Sequence, residues 1–275
     1  MPNDFNQQII DEFRANAGRV GGPFEGARLI LLTTCGARSG APHTTPVGYL
    51  PDGGERILVI ASAGGADRHP DWFHNLLADP NVTVEDGVFT YPARAEVLSG
   101  ADRDQVFARA VAADPGWAGY QAKTDRVIPV VALYGQGGGP PQAGSWGEAL
   151  RRIHNAFRRE LALIRDEVAR SGPTIGAQLR VNCLTLCGGL HAHHTHEDAG
   201  MFVGIAAQRP DLADVLDRLR AEHRRVAELV GELQRAVTAT GTDREEVRGH
   251  VARLVTQLEA HLGYEEAQLI PVLDG

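Results

Sequence analysis

Hydrophobic positions along this chain recur with two different periods, and the change falls near residue 140. Before it, short apolar runs rich in β-branched residues cover Arg28 to Thr33, Thr45 to Leu50, Ile57 to Ala61, Asn81 to Val84, Phe89 to Val97 and Val127 to Leu133, with turn residues such as Asp52-Gly-Gly54 and Asp86-Gly87 between them. Helical spacing is confined there to about 4–18, 70–78 and 101–112. Six closely spaced strands with too few helices for βαβ units predict a mostly antiparallel sheet or barrel. After it, Leu150, His154, Phe157, Leu161, Ile164 and Val168 mark one face of a helix, and about 178–206, 210–238 and 243–268 follow the same rule. Ser171-Gly-Pro173, Arg209-Pro210 and Thr240-Gly-Thr242 interrupt them, which predicts an up-down four-helix bundle. The glycines and prolines of Tyr134-Gly-Gln-Gly-Gly-Gly-Pro-Pro-Gln-Ala-Gly144 form the one clear linker. The class is therefore α+β, with domains over 1–136 and 146–275 and a linker over 137–145.

Composition narrows the partners. A chain of 275 residues, 43% hydrophobic and 23% charged, has room for two ordinary globular domains. A net charge of −8 argues against nucleic acid or an anionic membrane surface, and points to a small-molecule partner. No run reaches the roughly 20 apolar residues of a membrane span. The start Met1-Pro-Asn-Asp-Phe5 lacks the blocks of a secretory signal, and only Cys35, Cys183 and Cys187 occur, so a cytoplasmic location with reduced thiols is expected. Cys183 and Cys187, one helical turn apart, read as small core residues.

The second half holds unusual chemistry. Leu190-His-Ala-His-His-Thr-His-Glu-Asp198 carries four histidines and two acids, and His261-Leu-Gly-Tyr-Glu265 repeats the theme. At about 100° per residue, His193 and Glu197, like His261 and Glu265, share a helix face. His194 and Glu197 fall inside the arc of Cys183, Leu186, Leu190 and Met201, with His193 at its edge; His223 lies among Leu216, Leu219, Val226 and Val230; His261 and Glu265 lie beside Leu254, Leu258 and Leu269. A carboxylate aimed into a core is costly unless a cation satisfies it. Five inward histidines (His154, His193, His194, His223, His261) and two inward acids exceed the four ligands of a closed zinc site and suit two ions, iron or alternatively manganese. His43, His69, His191, His196 and His250 need be no more than ordinary polar residues.

On these residues, the segment over about 146–275 resembles the hemerythrin-like (HHE) family, whose pattern of His, His-x-x-x-Glu, His and His-x-x-x-Glu on successive helices matches His154, His193 with Glu197, His223, and His261 with Glu265. The resemblance implies a diiron ligand set. Where hemerythrin has a second histidine on its third helix this chain has Ala227, so either His194 supplies that nitrogen or a coordination position stays open; Val203 stands where a proline often follows the second motif.

In the first half, glycine-bearing loops at Arg38-Ser-Gly40 and Ser62-Ala-Gly-Gly65 let backbone amides and a guanidinium approach a phosphate. Leu31-Leu-Thr-Thr-Cys-Gly-Ala-Arg-Ser-Gly40, Ala41-Pro-His-Thr-Thr-Pro-Val47, Ala61-Ser-Ala-Gly-Gly65, His69-Pro-Asp-Trp-Phe-His-Asn-Leu76 and Tyr120-Gln-Ala-Lys-Thr-Asp-Arg126-Val-Ile-Pro129 together resemble the deazaflavin-dependent nitroreductase family. That resemblance implies a split β-barrel binding coenzyme F420, with FMN the alternative. The implied cofactor residues are Arg38, Ser39, Gly40, His43, Thr44, Thr45, Pro46, Val47, Ser62, Ala63, Gly64, Trp72, His74 and Asn75, with Tyr120 near the ring and substrate. Trp72 and Phe73 would also anchor their helix to the barrel. Family members commonly have a basic pair before Ser39, Arg at His43 and Lys at Ala63, so fewer cations meet an acidic tail here. A homodimer is a further implication. The fusion implies a two-centre oxidoreductase acting on oxygen, peroxide or an organic substrate; the alternative is a sensor of oxygen, nitric oxide or iron whose bundle regulates a quinone or nitro-compound reductase.

Overall fold

The computed structural model describes residues 4–53, 56–136 and 143–275; most of the expected linker, 137–142, lies outside them. The chain forms two compact units, Met1–Gln142 and Ala143–Gly275.

The first unit is a closed antiparallel barrel of six strands: β1 (Leu29–Cys35), β2 (Pro42–Pro51), β3 (Arg56–Ile60), β4 (Asn81–Glu85), β5 (Thr90–Val97) and β6 (Val130–Gly135), in the order β1-β2-β3-β6-β5-β4. Alternation sends Ile30, Leu32, Val59, Val84, Ala93 and Val131 to one buried cluster, where helix α2 (Asp71–Ala78) adds Trp72, Phe73 and Leu76. The opposite face is covered as well. Leu58, Ile60, Val130 and Ala132 pack on Val106, Phe107 and Ala110 of α3 (Gly100–Ala113), and Leu29 and Leu31 pack on Ile9, Ile10 and Phe13 of α1 (Asp4–Ala15). Burial on both faces is why β1 reads as an unbroken apolar run. Tyr134 and Gly135, which open the glycine- and proline-rich stretch, are strand residues that pair with Arg94 and Ala93. A short helix, α4 (Gly116–Gln121), carries Tyr120; its glycines and brevity hid it from periodicity.

The second unit is a bundle of α5 (Trp146–Arg170), α6 (Ala177–His196), α8 (Ala213–Thr238) and α9 (Arg244–Leu273). Ser145 caps α5 by accepting the Glu148 amide at 3.1 Å. The helix expected over 178–206 is wound differently toward its C-terminal end: a π-helical turn at Glu197–Met201 joins α6 to α7 (Phe202–Gln208). Two apolar clusters fill the bundle. One holds Leu161, Cys183, Cys187, Leu190, Val226, Leu258 and Leu262; the other holds Phe202, Ile205, Leu216, Leu219 and Leu269. On α6, α8 and α9 the histidines and acids lie between these clusters, as a polar layer within an apolar core. No helix among the described residues is long and apolar enough to cross a membrane.

Candidate metal centre and cofactor loops

One side chain from α5, three from α6 and its π-turn, one from α8 and two from α9 meet in that layer. His194, His223 and His261 bring ligand atoms within 4.8 Å of one another, and so do His154, His193, Glu197 and Glu265. His154, His261 and Glu265 are fully buried; Glu197, His194 and His223 are nearly so. The two groups touch through the acids. Glu197 Oε1 lies 3.2 Å from His193 Nε2 and its Oε2 3.6 Å from His223 Nε2, while Glu265 Oε2 lies 3.5 Å from both His154 Nε2 and His261 Nε2. Each carboxylate thus stands between a histidine of one group and a histidine of the other.

All five Nε2 atoms and all four carboxylate oxygens of these residues are buried without a hydrogen-bond partner. Native interiors rarely leave such groups unpaired. Adjacent ligands about 2.1 Å from one ion stand roughly 3 to 3.5 Å apart, so the separations suit donors converging on shared cations. Burial pushes Glu265 up to about 8 and Glu197 well above the ordinary carboxylate range. It lowers His154, His193, His194 and His261, and brings His223 down to about 4. Five neutral imidazoles and two carboxylates that are costly to ionise form a donor set that fits bound metal cations.

The seven residues singled out in the bundle are therefore brought together, whereas His191 and His196 are exposed. Ala227 is exposed too, so a side chain there does not face the layer, and the third nitrogen beside His223 and His261 is that of His194. Sequence reasoning gave no role to Asp198, Glu222 and Glu266, which accept hydrogen bonds from the Nδ1 atoms of His223, His261 and His154. The signal was adjacency: each neighbours a candidate ligand in sequence.

In the barrel unit, the loop between β1 and β2 folds on itself. Gly36 N donates to Ala41 O, Gly40 N to Gly36 O, Ala41 N to Ser39 Oγ and Ala37 N to Asn75 Oδ1. Within the described residues only the Arg38 and Ser39 amides of this loop have no such partner, which narrows the expected amide cradle. The exposed Arg38 guanidinium, the Ser39 hydroxyl and the His43 ring, whose Nε2 lies 3.1 Å from Ser39 Oγ, complete a donor set that fits an anionic group. A Cβ at Gly36 would stand 2.7 Å from His43 Nε2, so only glycine lets this pair close over the turn. Thr44 meets Thr33 at 2.8 Å across the β1–β2 ladder, and Thr45, Pro46 and Val47 continue β2.

The second loop runs through Ser62, Ala63 and Gly64, the latter two with φ of 48° and 64°. Arg126 staples it, donating to Ala61 O, Ser62 O and Ala66 O at 3.2, 2.6 and 2.7 Å and lying 3.0 Å from His69 Nδ1. In the sequence Arg126 is one residue of the Tyr120–Pro129 block, and nothing there signals this role. A Cβ at Gly65 would stand 2.7 Å from Tyr120 O, so α4 seats Tyr120 beside this loop, and Lys123 Nζ lies 5.4 Å from its ring. Helix α2 bridges the two loops. Trp72 is buried in the barrel cluster, His74 is exposed, and Asn75 turns both ends of its amide to the first loop and β1, donating to Thr34 Oγ1 at 3.0 Å. Asn75 therefore shapes the loop and spends its own polar atoms in doing so.

Residues 6–134 match the family described as F420H(2)-dependent quinone reductase, and residues 147–273 match the hemerythrin HHE cation binding domain. Over 125 residues the chain is 35% identical to an F420H(2)-dependent quinone reductase of Mycobacterium tuberculosis, covering 44% of this chain and 83% of that one. A solved F420-H2 dependent reductase (FDR-A) is 39% identical with a TM-score of 0.36, over 38% of this chain and 93% of that one. Another solved chain, described as a domain-swapped dimer, is 34% identical with a TM-score of 0.38, over 47% of this chain and 94% of that one.

Proposed function

The chain belongs to the F420H(2)-dependent quinone reductase family and carries a C-terminal hemerythrin HHE domain, and from that premise we propose that it is a two-centre oxidoreductase with reduced F420 in the barrel and two iron ions in the bundle. The observation that carries the second centre is the set of nine unpartnered ligand atoms on His154, His193, His194, Glu197, His223, His261 and Glu265. When bound, F420 supplies a hydride and iron supplies one-electron changes of valence at a position that meets oxygen, peroxide or an organic substrate.

The chain's own residues do the rest. His194, His223 and His261 offer three nitrogens on one side, His154 and His193 offer two on the other, and Glu197 and Glu265 lie between. The side with fewer nitrogens keeps more room for an outside ligand. Leu190, Phe202 and Leu269 line the apolar layers that keep bulk water from this one. In the barrel, Arg38, Ser39 and His43 offer cation and hydroxyl to a phosphate, the Ala63 and Gly64 turn offers a second approach, and Tyr120 stands next to it. FMN, which also carries a phosphate for these donors, is the alternative.

The test adds reduced F420 without oxygen to the iron-loaded full chain, then admits oxygen, following the absorbance of both centres. Oxidation of F420 accompanied by a change at iron is expected. Absence of F420 binding and oxidation overturns the F420 reading, and oxygen binding without consumption of reductant overturns the enzyme in favour of a sensor.

A further inference from the structure

Beyond the inner ring of ligand atoms, three carboxylates stand on the far side of three imidazoles. Glu266 Oε1 accepts from His154 Nδ1 at 2.9 Å, Asp198 Oδ1 from His223 Nδ1 at 3.0 Å, and Glu222 Oε2 from His261 Nδ1 at 3.1 Å. Each bond crosses between helices: α9 to α5, the π-turn after α6 to α8, and α8 to α9. Together the ties join all four helical hairpin arms at the polar layer.

The geometry fixes a chemical state. An imidazole that donates from Nδ1 carries its proton there and leaves the lone pair on Nε2, and in all three residues Nε2 is the buried atom without a partner. Two of the acids are themselves held. Arg158, one turn after His154 on α5, donates to the same Glu266 oxygen at 2.7 Å, and Arg218, one turn before Glu222 on α8, donates to it at 2.9 Å. Asp198 has no Arg or Lys partner among the described residues, and its side chain is 39% exposed. It shares the π-turn with Glu197, so consecutive acids flank the two nitrogens of one ring: Asp198 bonded at His223 Nδ1, Glu197 Oε2 3.6 Å from His223 Nε2. Among the described residues, the adjacent α6 pair, His193 and His194, has no such carboxylate at Nδ1.

We propose that Asp198, Glu222 and Glu266 are positioning residues of the metal centre, which fix the Nε2-presenting tautomers of His223, His261 and His154, strengthen these imidazoles as donors, and leave the α6 pair adjustable. This rests on the metal reading above. A hydrogen-bonded carboxylate pushes electron density onto the imidazole and favours the higher oxidation state of a bound metal, so a neutral acceptor in its place raises the reduction potential.

The experiment loads the full chain with ferrous iron and compares it with Glu222→Gln, Glu222→Ala and, as a surface control, Glu232→Gln, whose residue pairs with Arg253 and His250. Iron per chain, rate of iron loss to a chromogenic chelator, and midpoint potential are measured. Glu222→Gln keeps an acceptor for Nδ1, so it is expected to hold iron normally at a raised potential; Glu222→Ala is expected to release iron about 10–100-fold faster; Glu232→Gln is expected to match the parent. Should Glu222→Ala not fold, the potential of Glu222→Gln alone decides. A Glu222→Gln potential equal to the parent's, or one moved as far by Glu232→Gln, overturns the inference while the metal reading stands. A parent protein that takes up no iron overturns both.

Discussion

Glu265 is wholly enclosed, and neither of its oxygens has a hydrogen-bond partner. An ionised carboxyl in that position without a cation costs several kcal/mol, and burial, together with the neighbouring acids Glu266, Asp198 and Glu222, pushes it up to about 8. Replacing Glu265 with Ala should therefore lower iron per chain, as measured by metal analysis after gel filtration; undiminished iron would remove Glu265 from the ligand set. The same logic made this residue visible in the sequence, because a helical wheel places it beside Leu258 and Leu269. Glu266 was invisible by the same method, since it lies partly exposed and its partner His154 sits on another helix. There, hydrogen bonds from His154 and Arg158 outweigh the cost of burial and hold the carboxyl down at about 2. Periodicity identifies what faces a core; it does not identify what a side chain reaches across to.

At the scale of elements, the six strands and the four long helices were legible because each has a buried face with one steady period. The exceptions share a cause. Helix α4 is too short to show a period, and the π-turn at Glu197–Met201 changes the winding without changing composition. The role of α2 was half legible. Trp72 and Phe73 predict its anchoring to the barrel, but Asn75 was read as a cofactor residue, and its amide is occupied by Ala37 N and Thr34 Oγ1. Asn75→Ala removes both bonds, so it is expected to destabilise the barrel unit by about 1–2 kcal/mol and to weaken binding of reduced F420, read by denaturant unfolding and by fluorescence titration. Full affinity in a variant with that loss of stability would show that the loop does not bind the cofactor.

For the whole molecule, each unit has its own apolar clusters, and among the described residues unpartnered polar atoms gather at the centre of the bundle alone. Removing metal with a chelator should accordingly lower the melting temperature read by helical circular dichroism, which the bundle dominates, and re-addition of iron should restore it. An unchanged melt would mean that the bundle's stability owes nothing to a bound ion. The π-turn has a consequence for how this chain tolerates changes of length. A residue gained or lost between Leu179 and Glu197 swings all that follows by about 100° and scatters His193, His194 and Glu197 out of phase with their partners. Within the π-turn a single deletion simply returns the winding to that of an α-helix, so Phe202 and the ligands before it keep their phase. Single-residue deletions along α6 and α7 in kindred chains should therefore collect at 199–201, after Asp198 and its bond to His223.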